Sequence, residues 1–156
     1  MRISAFEFAA NNQILLTVFL AWASAQILKT MITLWIDKKF VWERLVGPGG
    51  MPSSHTSTVC SLAMSTALLY SIHSFEFTIS IVLAIIVMHD AMNVRLETGK
   101  QAKIINAMIK NTENFQGEVF EQQLKELVGH TPTQVIAGAI LGVAVALLVN
   151  LFSAVG

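Results

Sequence analysis

Two histidines stand beside clusters of small polar residues, His55 in the stretch GGMPSSH (49–55) and His130 in GHTPTQ (129–134). Two imidazoles can divide the work of moving a phosphoryl group without a metal. One attacks phosphorus, the other protonates the leaving oxygen, and cations or N–H groups hold the remaining oxygens. Lys29, Arg44 and Arg95 are candidates for the cationic part. Ser53 and Ser54 fall where a helix can begin, and the outward-pointing N–H groups of a first turn attract anions. Asp90 is a further candidate for the site.

The elements that must position these groups are apolar. The 156 residues have a mean hydropathy of +0.62, and 13% are charged, against about 25% in soluble domains. That length fits one domain, 1–156, embedded in a membrane. Ten basic and ten acidic side chains cancel, so charge gives no argument for nucleic acid. The single cysteine, Cys60, excludes an intrachain disulfide, and no cysteine spacing suggests a metal. The start of the chain makes a poor cleaved signal, because Arg2 is alone, Glu7 follows, and the next apolar run is too long.

Four spans are expected. The first runs from about Gln13 to Ile36 and is interrupted by Gln26 and Lys29. Lys29 either snorkels or packs in the bundle, or it faces a phosphate. A polar loop, Asp37–Met51, carries Lys38, Lys39, Arg44 and the glycines 47, 49 and 50, which permit tight turns around a ligand. Pro52 suits a helix start. The second span, about Thr56–Ile72, is rich in serine and threonine, and His73 and Ser74 follow it in a turn. The third, about Phe77–Val94, carries His89 and Asp90 near its end. An ionisable group at that depth usually faces a polar cavity or a partner, and Arg95 is one partner within reach. A long loop, Leu96–Pro132, contains two amphipathic stripes: Ala102, Ile105, Met108 and Ile109, then Phe120, Leu124, Leu127 and Val128. Each can lie on the membrane surface or cap the site. The last span, about Thr133–Phe152, has Gly138, Gly142 and Ala146 at intervals of four, a smooth face for close packing in the bundle or in a homodimer.

Four spans put both termini on one side and both long loops, with every candidate residue, on the other. Lys38, Lys39, Arg44, Arg95, Lys100, Lys103, Lys110 and Lys125 share the loop side, and Arg2 alone stands opposite. The positive-inside rule then places the site at the cytoplasmic face.

The two histidine stretches resemble the signatures of the phosphatidic acid phosphatase type 2 superfamily, which includes bacterial acid phosphatases and vanadium haloperoxidases. GGMPSSH is similar to its Pro-Ser-Gly-His signature, with Ser54 in the glycine position, and GHTPTQVIAGAILG (129–142) is similar to the third signature and the helix after it. HDAMNVRLETGKQA (89–102) looks like the divergent membrane branch. The resemblance implies that His130 attacks phosphorus to form a phosphohistidine and that His55 protonates the leaving oxygen. It implies that Ser53, the Ser54 amide and basic side chains hold the phosphate, and that substrates are lipid phosphates and diphosphates. The family's aspartate four residues after the nucleophile is here Gln134, which can still orient the ring, and its arginine six residues before is Leu124. The first signature, Lys with Arg-Pro seven residues on, is absent from that spacing, since Ile36 stands there after Lys29. Arg44 and Arg95 are candidates to replace the missing cations, and Asp90 to orient a histidine.

The expectation is therefore an all-α integral membrane protein of about four transmembrane helices with a helical cytoplasmic loop. It is expected to hydrolyse a lipid phosphate or polyprenyl diphosphate from the cytoplasmic leaflet, with no cofactor. Its expected partners are the bilayer and that anionic substrate. One alternative is a non-enzymatic membrane protein that binds or moves an anionic lipid or phosphate compound. The other is a metal-assisted hydrolase using Asp90, Glu97 and a histidine.

Overall fold

The computed structural model describes residues 12–38, 50–111 and 129–155. They form five helices, with no strand among the described residues: α1 (Gln13–Asp37), α2 (Ser54–Tyr70), α3 (Phe75–Met92), α4 (Val94–Asn111) and α5 (Pro132–Val155). Each of the first three starts on a polar cap. Asn12 Oδ1 accepts the Leu15 N–H, Ser53 Oγ the Thr56 N–H and Ser74 Oγ the Phe77 N–H, which satisfies amides that a first turn leaves over. Proline opens α5, where its missing N–H costs nothing.

Stretches beginning in α1, α3 and α5 are long and apolar enough to cross a membrane. The expected second span is α2, 17 residues long, or about 25 Å at 1.5 Å per residue. It is the central helix and packs against α1, α3 and α5. Its interior is hydroxylic rather than oily: Thr56, Ser57, Ser61, Ser65 and Thr66 are all buried. Several of these hydroxyls return to carbonyls, as Ser61 Oγ does to Thr58 O at 2.8 Å and Thr66 Oγ1 to Ala63 O at 2.9 Å. Ser57 Oγ crosses to Ala21 O of α1 at 3.1 Å. The large apolar side chains face outward, among them Phe19, Ile27, Ile85, Ile140 and Phe152. Small and hydroxylic residues inside with large apolar ones outside is the distribution expected of helices packed in lipid.

The smooth face of α5 serves the bundle. Gly138, Gly142 and Ala146 are buried, and a Cβ on Gly138 would fall 2.5 Å from Ser53 O, while one on Gly142 would meet Ser57 O. The two glycines let α5 lie against the backbone of α2.

The long loop departs from expectation at its start. Only Asn93 separates α3 from α4, and helix resumes at Val94. The stripe Ala102, Ile105, Met108 and Ile109, expected on the membrane surface or over the site, does not all turn to one side. Gly99, Ala102 and Asn106 are buried, Ile109 is half-buried, and Ile105 and Met108 are exposed. The interior again takes small and polar groups in preference to bulky ones. The second stripe, Phe120 to Val128, lies outside the described residues.

Candidate functional site

The starts of α2 and α5 are tied together at one end of the bundle. Ser53 N–H donates to Gln134 O at 3.0 Å, and His130 N–H donates to Ala91 O in the last turn of α3 at 3.1 Å. These two backbone bonds bring three helix ends to one place, and with them His55, Asp90 and His130. The imidazole rings of His55 and His130 stand 6.4 Å apart between centroids, inclined at 60°. A nucleophile approaches its target at about 3–3.5 Å, and a proton donor reaches its acceptor at about 2.6–3.2 Å. Both reaches require the two rings to border one small space, and at this separation they do.

His130 is buried, whereas His55 is exposed. Gln134, one turn along α5, places its Oε1 3.0 Å from His130 Nδ1 and accepts the Thr131 N–H on the same atom at 3.2 Å. A backbone N–H can only donate, so that atom of the carboxamide is the oxygen. Nδ1 must then carry the proton, and Nε2 keeps the ring's lone pair.

Ser53 is fully buried and its hydroxyl is engaged within α2, accepting from Thr56 N at 3.4 Å and from Thr56 Oγ1 at 3.1 Å. Its side chain caps α2 and its amide is bonded to α5. Ser54, also buried, and His55 open the first turn of α2 behind it. That turn offers the positive end of the helix dipole to an anion.

Lys29 is 1% exposed, which excludes snorkelling. Its aliphatic stem lies against Gly50, whose φ is +86°. Asp90 is half-buried in the last turn of α3, beside the Ala91 carbonyl that receives His130. The group on His130 Nδ1 is Gln134. Arg95 lies in the first turn of α4, and Glu97 pairs with Lys100 at 2.6 Å on the exposed side of the same helix. Arg44 lies outside the described residues. Among the described residues, no three His, Cys, Asp or Glu side chains gather as a ligand set.

Residues 10–145 match the family described as the Divergent PAP2 family. The chain belongs to the Divergent PAP2 family. It is 33% identical over 152 residues to "Uncharacterized membrane protein YuiD" of Bacillus subtilis (strain 168), an alignment covering 91% of this chain and 96% of that one. No solved structure matches it. Membership in this family, together with helices able to cross a bilayer, makes this a membrane protein related to the phosphatidic acid phosphatases. Two contacts at this end of the bundle were not foreseen from the sequence. The Thr131 amide, which fixes the Gln134 carboxamide, leaves no trace in residue type. Gly50 was visible only as one member of a glycine-rich loop.

Proposed function

We propose that this membrane protein is a metal-independent phosphohydrolase of lipid phosphates or polyprenyl diphosphates, acting through a phosphohistidine. The observation that carries the reading is the His55–His130 pair, 6.4 Å between ring centroids, with Gln134 on the inner nitrogen of His130. His130 Nε2 attacks phosphorus and the bond from phosphorus to the leaving oxygen breaks. His55, protonated, gives its proton to that oxygen. Water then attacks the phosphorus of phosphohistidine, neutral His55 takes the water's proton, and inorganic phosphate leaves as the N–P bond breaks. Lys29, Arg44, Arg95 and the first-turn amides of α2 compensate the charge on the phosphoryl oxygens. Asp90 sits where it can hold the protonated form of a neighbouring imidazole.

The same reading places the site on the cytoplasmic side and both termini opposite, because the basic residues concentrate on the site-side loops. The substrate then enters from the inner leaflet. A second reading, an inactive protein that binds or moves an anionic lipid, draws support from Gln134. A neutral amide orients imidazole but does not stabilise imidazolium as a carboxylate would.

The test is phosphate release by detergent-purified protein in EDTA over a panel of lipid phosphates and diphosphates. Release that His130→Ala and His55→Ala both reduce supports the phosphatase. Saturable phosphate binding without release supports the second reading, and release only with added magnesium or manganese would revive a metal-assisted hydrolase.

A further inference from the structure

We propose that Gly50 is a positioning residue that seats Lys29 at the anion-binding end of α2; the proposal rests on the phosphate site read above, though not on its being hydrolytic. Three observations converge. Gly50 has φ +86°, a conformation that L side chains rarely adopt. A Cβ built on it would fall 2.9 Å from both Cγ and Cδ of Lys29. Lys29 is itself 1% exposed, so its stem has little room to give way. The loop backbone therefore closes on the middle of the lysine side chain, and glycine is the residue that allows both the turn and the contact.

The consequence falls on the ammonium. Gly50 precedes the cap residue Ser53 by three positions, at most about 10 Å of extended chain. The stem it grips thus belongs to the same end of the bundle as Ser54 and His55. A lysine has four flexible methylenes, and ordering them costs rotamer entropy. Gripping Cγ and Cδ pays that entropy on folding, so a phosphate meets a cation already in place. Any side chain at position 50 would push the stem aside and move the charge, even with Lys29 still present.

A double-variant cycle tests this with the full-length protein in detergent, using inorganic phosphate and orthovanadate as probes. Binding is read by phosphorus and vanadium NMR, and the thermal midpoint of each variant is measured alongside. Lys29→Ala is expected to weaken binding about tenfold or more, the scale of a lost charge-assisted hydrogen bond. Gly50→Ala is expected to weaken it comparably, and the pair together no more than Lys29→Ala alone. Removing the stem should also raise the thermal midpoint of Gly50→Ala, since the Cβ then has space. If Gly50→Ala cannot be recovered folded, folding restored by Lys29→Ala supports the proposal, and where backbone strain prevents folding in both backgrounds Gly50→Asn, which tolerates positive φ better, takes its place in the cycle with the same expected and overturning results. Wild-type affinity in Gly50→Ala, or losses that multiply in the double variant, would overturn the proposal. Binding by the wild type without turnover would remove the phosphatase reading and leave this one standing. No binding of either probe by the wild type would remove both.

Discussion

The carboxamide oxygen of Gln134 lies 3.0 Å from Nδ1 of His130 and is fixed in that role by the Thr131 amide. One helical turn thus sets the tautomer of the buried imidazole and points its basic nitrogen away from α5. Gln134→Leu removes the acceptor and should lower phosphate release about 10- to 100-fold. Gln134→Glu keeps an oxygen in place and should retain most activity. Initial rates on one lipid phosphate, with folding checked by thermal midpoint, give the comparison. Equal rates in wild type and Gln134→Leu would show that the bond does not prepare the nucleophile.

His55 and His130 should fail differently. If His55 serves as acid, its loss matters most for a poor leaving group. His55→Ala should lower release from an alkyl or prenyl phosphate by about 10²- to 10⁴-fold, the usual contribution of general acid–base catalysis. It should cost much less for formation of the covalent intermediate from an aryl phosphate, whose leaving oxygen needs little protonation. His130→Ala should be inactive toward both. Burst kinetics with an aryl phosphate separates the two variants.

Helix packing predicts a stability contrast along α5. Gly142→Ala puts a methyl group against the Ser57 carbonyl and should cost about 1–3 kcal/mol. Ile140 points outward at 65% exposure, and Ile140→Ala should stay within about 0.5 kcal/mol. Thermal midpoints in one detergent measure both.

Sidedness can be read with single cysteines placed in a Cys60→Ala background. Lys103→Cys on α4 should react with a membrane-impermeant maleimide only after the membrane is opened. His73→Cys, in the turn between α2 and α3, should react in intact spheroplasts. The reverse pattern would put the site on the outer face.

The spans were legible in the sequence because charge is costly in hydrocarbon. Uncharged runs marked α1, α3 and α5 to within about three residues, and Ser53 and Pro132 announced the starts of α2 and α5. The His55–His130 pairing was legible only through topology, since 75 positions separate them in the chain. Composition could not show which face of α4 turns inward. Apolar periodicity marks the buried face when water is the solvent, but in this bundle Ala102 and Asn106 go in and Met108 stays out. Lys29 was ambiguous for a related reason. A lysine near a span end reads the same whether it snorkels or is enclosed, and its 1% exposure distinguishes the two. The Gly138–Gly142 stripe indicated close packing, and its partner, α2, became visible only in three dimensions.

Trapping the covalent intermediate tests the central claim most directly. Wild-type protein in EDTA is mixed briefly with a lipid phosphate labelled in its phosphoryl group, then quenched in alkali, which preserves phosphohistidine. The account predicts an acid-labile label on the peptide that contains His130, absent from His130→Ala. Phosphate release with no histidine-bound label, or a label undiminished in His130→Ala, would contradict it.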